Sequence, residues 1–93
     1  MTDATFPLGR CAITRGAQAL LAERGMPGLA TTLLDRHAAG DFGDLSESDR
    51  AANVEALRTG ARVLSAYEVA GLRLWIITEA DRSATTIMLP EEY

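Results

Sequence analysis

The sequence predicts an α+β fold in which three short helices pack on one face of a three- or four-stranded antiparallel sheet, and three observations carry that expectation. Residues 72–93, LRLWIITEADRSATTIMLPEEY, set two apolar, β-branched runs on either side of a charged turn, the pattern of a β-hairpin. A third run, RVLSAYEV at 62–69, precedes them across Ala70-Gly71, so the C-terminal third reads as a meander. Upstream, apolar residues recur at helical spacing in three segments separated by Gly and Pro. The 93 residues have room for one core, so residues 1–93 are expected to form a single domain, loose at residues 1–5 and at the final EEY.

The elements follow in order. FPLGRCAI, after the turn formers Pro7 and Gly9, reads as a brief edge strand. Thr14 is placed to N-cap RGAQALLAER, where Ala17, Leu20, Leu21 and Arg24 share a stripe and Gly25 supplies the stop. LATTLLDRHAAG restarts a helix with Leu29, Leu33, Leu34 and His37 on one side and Gly40 at its end. Ser46, three residues ahead of Asp49, opens a third helix, SESDRAANVEALRTG. Its expected apolar line is Ala51, Val54, Leu57 and Ala61; Asp49, Arg50, Asn53 and Glu55 form the polar side. In the middle strand Leu72, Leu74 and Ile76 alternate with Arg73, Trp75 and Ile77, which makes it apolar on both sides and therefore central.

Composition limits the function classes. Nine arginines, no lysine and thirteen acidic residues give a formal charge of −4, which opposes direct binding of free nucleic acid. The single cysteine, Cys11, permits neither an intrachain disulfide nor a multi-thiolate metal site, and is expected to be a buried small hydrophobe in a reducing, cytoplasmic setting. No apolar run is long enough for a membrane span, and no phosphate loop, dinucleotide fingerprint or nucleophile elbow occurs. No cofactor or metal is expected.

Three constellations could do chemistry or recognition. His37, Asp41 and Asp44 are the group closest to an acid/base or metal set, but Gly40 and Gly43 interrupt the helix that would align them, so the carboxylates read as caps. Glu79, Asp81, Arg82, Ser83, Thr85 and Thr86 gather charge and hydroxyls at a hairpin tip, either as a recognition loop or as a turn in which Asp81 caps and Arg82 pairs with Glu79. Trp75 and Tyr67 could form a cross-strand pair, with Trp75 a candidate anchor for a partner. Asp35, Asp41, Asp44, Glu47, Asp49 and Glu55 concentrate negative charge in the middle third, a patch able to mimic phosphates and occupy a basic channel.

GDFGDLSESDRAAN at 40–53 and LWIITEADRSATTIMLPEEY at 74–93 resemble a family of short proteins encoded by plasmids, integrative elements and phages, labelled plasmid-related or, wrongly for so short a chain, type I restriction subunits. The resemblance implies a mobile-element setting and, by association, an inhibitor of host defence such as an anti-CRISPR or anti-restriction protein. The function expected is therefore a noncatalytic binding protein whose partner is a host or element-encoded complex with a basic surface. Its partner-binding residues would be Asp41, Asp44, Glu47, Asp49, Glu79, Asp81, Arg82 and Trp75. Two alternatives stand beside it. One is a small barnase-like or RelE-like ribonuclease using His37, Glu79, Arg73 and Arg82; the other is an accessory interaction module, possible as a homodimer through a sheet edge.

Overall fold

Two residues with positive φ, Ala70 and Gly71, turn the chain tightly enough to pair Val69 with Leu72, and that turn sets the register of the hairpin. The structure, a computed structural model, describes residues 6–93; the looseness expected of residues 1–5 lies outside them. Its elements are β1 (Arg10–Ile13), α1 (Arg15–Glu23), α2 (Leu29–Ala38), α3 (Glu47–Thr59), β2 (Val63–Val69), β3 (Leu72–Thr78), β4 (Ala84–Met88) and a closing 3-10 turn, Pro90–Glu92. The fold is α+β.

β2, β3 and β4 form the expected antiparallel meander with β3 inside it. The sheet as a whole is not antiparallel. Its order is β1-β4-β3-β2, and β1 runs parallel to β4, Arg10 opposite Ala84 and Ile13 opposite Ile87, which makes the sheet mixed. A parallel neighbour requires a long crossover, and the helices together with β2 and β3 supply one.

Nor do the helices share one face. Ala17 and Leu21 of α1 and Leu33 of α2 pack on Tyr67, Leu72, Leu74, Ile76 and Ile87, and each large side chain so buried stabilises the fold by roughly 1.5–3 kcal/mol. α3 instead lies against the outer edge of β2, where Ala56 joins Phe6, Phe42 and Val63 in a second cluster. The closing turn packs on β3, and Tyr93 meets Trp75 on the face bare of α-helices. The final EEY is anchored, not loose: the Glu92 carboxylate accepts from the Thr14 hydroxyl at 2.5 Å and from the Gly16 and Leu89 N–H groups.

Caps stand where side-chain chemistry places them. The Thr14 hydroxyl accepts from the Ala17 N–H, the Ser46 hydroxyl from the Asp49 N–H, and Gly60 ends α3 in the left-handed conformation. α3 is rotated from the expected orientation. Val54, predicted to face the core, is 63% exposed, whereas Asn53, predicted to face solvent, is buried. The cause is a pair of hydrogen bonds: the Asn53 side chain donates to the Leu64 carbonyl at 2.5 Å and accepts from the Leu64 N–H at 3.1 Å. One amide thus does for β2 what a neighbouring strand would do.

Candidate functional site

His37 sits at the C-terminal end of α2 and is 0% exposed, flanked edge-on by the rings of Phe6 and Phe42. Its Nδ1 lies 2.5 Å from the Ser65 hydroxyl and its Nε2 2.9 Å from that of Thr78, which contacts Thr85 at 2.7 Å, and Thr85 donates to the Leu8 carbonyl. That last bond orients the rest. Thr85 spends its hydrogen on Leu8, so Thr78 donates to Thr85, the imidazole Nε2–H donates to Thr78, and Ser65 donates to an unprotonated Nδ1. The neutral imidazole satisfies every member, and burial, aided by the nearby Arg82 charge, pushes its pKa down to about 4. As folded, this side chain reaches no solvent-borne substrate.

Asp41 and Asp44 brace the segment beside β2. The Arg36 guanidinium grips Asp41 with a 2.7 Å bond from Nε and stacks over the Tyr67 ring at 4.7 Å, holding the Asp41 carboxyl below the usual carboxylate range. Asp41 also accepts from the Gly43 N–H. The Ala66 N–H bonds to the Phe42 carbonyl, the Asp44 N–H to the Ala66 carbonyl, and the Asp44 carboxylate to the Glu68 N–H at 2.8 Å. With Asn53 on Leu64, the outward backbone groups of β2 are taken from Leu64 to the Glu68 N–H. Gly43 (φ +76°) is required there, because a Cβ would collide with the Ala66 carbonyl and the Tyr67 ring. Tyr67 donates its hydroxyl to the Asp41 carbonyl, and burial raises its pKa to about 12.

The β3–β4 turn is a brace as well. Asp81 accepts from the Ser83 N–H, as a capping turn would. Arg82 does not pair with the Glu79 carboxylate; its guanidinium donates to the carbonyls of Ala56, Ala61, Glu79 and Ala80, closing the C-terminal end of α3. The Glu79 carboxylate lies 4.0 Å from Arg62 instead.

Trp75 does not pair with Tyr67. The hairpin register sets Trp75 opposite Ala66, so Tyr67 points into the core while Trp75 lies half-buried on the other face, its ring 5.6 Å from that of Tyr93. A shallow hollow of about 100 Å³ there is lined by Asp44, Ala66, Glu68, Arg73 and Trp75. Glu47 and Asp49, exposed in the first turn of α3, stand three and five residues after Asp44 in the chain. Cys11, expected to be buried, is exposed on β1.

The predicted partner-binding residues therefore divide. Asp44 and Trp75 come together; Glu79, Asp81 and Arg82 lie at the other end of β3, and Arg82 is occupied by α3. Glu68, which lines the hollow from the β2 register position opposite Arg73, was missed, although its alternation with Tyr67 placed it on the solvent side. The residues considered for ribonuclease chemistry are dispersed: His37 is interior, Arg73 sits in the Trp75 hollow, and Glu79 and Arg82 serve the turn.

The chain matches no family model, no curated protein and no solved structure. Among the described residues no helix is long and apolar enough to cross a membrane, and no three His, Cys, Asp or Glu side chains cluster as metal ligands would. The Trp75 hollow sets an indole beside the carboxylates of Asp44 and Glu68 and the guanidinium of Arg73 on the sheet.

Proposed function

We propose that this chain is a noncatalytic binding protein that docks a protein partner through the sheet face around Trp75. The observation that carries the reading is the half-buried indole sharing one hollow with Asp44, Glu68 and Arg73. Trp and Arg are the residues most often found as binding anchors, and a sheet face holds them at low cost in conformational entropy. The carboxylates of Asp44, Glu68, Glu47 and Asp49 favour a partner with a basic surface, in keeping with the net charge of −4. The resemblance of residues 40–53 and 74–93 to mobile-element proteins suggests the class of partner, a host defence complex whose nucleic-acid channel the protein would occupy as an inhibitor.

The test is affinity capture from host lysate with the full chain, read by mass spectrometry, in parallel with Trp75→Ala and with Glu47→Arg/Asp49→Arg/Glu68→Arg. Wild type is expected to retain a nucleic-acid-targeting complex. Trp75→Ala should weaken it at least about tenfold, and the charge reversals should weaken it and flatten its salt dependence. Equal capture by folded wild type and both variants would refute this face as the docking surface.

A further inference from the structure

The two edges of the sheet are finished differently. Along β2, Asn53 and the 42–44 segment take the outward backbone groups. Along β1, the Arg10 and Thr14 N–H groups bond to the carbonyls of Ser83 and Ile87. Strand alternation therefore turns the N–H and C=O of Cys11 and Ile13 outward, where no backbone or side-chain partner among the described residues meets them. The strand has no Pro and Arg10 as its sole charge, so it lacks the usual protections of a free edge.

We propose that β1 pairs, antiparallel and about a two-fold axis through Ala12, with β1 of a second copy of the chain, joining two four-stranded sheets into one. The register follows from the outward groups. Only a pairing of Cys11 with Ile13 of the other copy engages both residues on both strands, giving four backbone hydrogen bonds, and it sets the small Ala12 against its own symmetry mate. A register shifted by two would recruit Gly9, whose φ of +66° takes it out of extended conformation.

Charge complementarity selects a second copy over an arbitrary strand. In this register Arg10 stands opposite Thr14 of the other copy, and Thr14 holds the Glu92 carboxylate at 2.5 Å. The seam thus carries two Arg10–Glu92 pairs, one at either end. On the opposite side, Ile13 borders a shallow apolar groove of about 200 Å³ formed by Cys11, Ala12, Ala30, Leu34 and Ile87. An axis normal to the sheet brings the two grooves face to face across the seam, where each covers the other. The inference does not depend on the Trp75 docking face.

Sedimentation of the full chain from about 5 to 500 µM should show a monomer–dimer equilibrium, the range in which a small edge interface dissociates. Ala12→Cys in a Cys11→Ser background should cross-link to a covalent dimer under oxidised glutathione, because facing non-hydrogen-bonded positions lie at disulfide distance. Glu68→Cys in the same background, on the capped edge, should not. Cys11→Pro removes one outward N–H without touching the bonds to β4, and Arg10→Glu reverses the seam charge; each should raise the dissociation constant at least about tenfold. A monomer throughout that range overturns the proposal. So does a dimer that Ala12→Cys fails to trap and that neither Cys11→Pro nor Arg10→Glu weakens.

Discussion

Lowering the pH from 7 to 4.5 perturbs one buried group, the chain's single histidine. His37 is neutral in the fold because its Nδ1 accepts from Ser65 and burial penalises the imidazolium. The unfolded chain takes up that proton near 6.5 and the folded one near 4, so below 6.5 the unfolded state holds more protons and stability falls with pH. The full loss, at 1.36 kcal/mol per pH unit across that gap, is roughly 3 kcal/mol, most of it already felt at pH 4.5. A domain of this size has only about 5–14 kcal/mol in total. Asp41, Asp81 and Glu92, whose carboxyls are held below their usual values by Arg36, Ser83 and Thr14 respectively, begin to add their losses below about pH 5, as the unfolded carboxyls take up protons, so the fall between 6.5 and 5 belongs to His37. Urea unfolding at pH 7, 6, 5 and 4.5 reads the effect; with a slope of about 1–1.5 kcal/mol/M the midpoint should drop by roughly 2 M. The single imidazole resonance should stay neutral down to about pH 5 in the folded protein. A flat urea midpoint between 6.5 and 4.5, or an imidazole titrating near 6.5, would refute the buried, neutral network.

Asn53→Ala leaves the Leu64 N–H and C=O without their partner, and is expected to cost about 2–3 kcal/mol in chemical denaturation, far more than the exposed neighbour Val54→Ala. Ala70→Asn replaces an alanine at φ +52° by a residue that tolerates the left-handed region and creates an Asn-Gly turn; melting should rise by several degrees, about 0.5–1 kcal/mol. Arg82→Lys keeps the charge and loses the fork that spans Ala56 and Ala61, so it should destabilise by about 1–2 kcal/mol, with amide exchange accelerated first in the last turn of α3.

Helix ends and the meander were legible because their signals are local: a hydroxyl before each of α1 and α3, a glycine after α3, and period-two alternation in β2 and β3. The expected Trp75–Tyr67 pair failed for a reason already present in the sequence. A two-residue turn at 70–71 pairs 69 with 72 and hence 66 with 75, which rules out the Trp75–Tyr67 pair before any coordinates. What stayed hidden depended on distant partners. Nothing local in RCAI distinguishes a parallel from an antiparallel neighbour, since the direction of β1 is decided by where three helices and two strands return the chain. Asn53 read as a solvated residue because an exposed β2 backbone, eleven positions later, is what draws it inward. Of the candidate site, the residue types were recognisable, but their division into braces and free groups needed the tertiary contacts of Arg36, Arg50 and Arg82.

That division changes how the acidic character of the chain acts. Asp41 is held by Arg36 and Asp44 spends one oxygen on Glu68, so part of the negative charge in the middle third is tied to the fold and is lost only by disturbing it. Charge reversal at Asp41 would therefore release the 41–44 segment and uncover the β2 edge, and a resulting loss of binding would not identify a contact. Glu47, Asp49 and Glu68 differ: their side chains are exposed, and their carboxylates hold no backbone group of the sheet edge. Replacing these three tests recognition, whereas replacing Asp41 or Asp44 tests folding. The same separation holds for the arginines, with Arg73 beside Trp75 available to a partner and Arg82 committed to the end of α3.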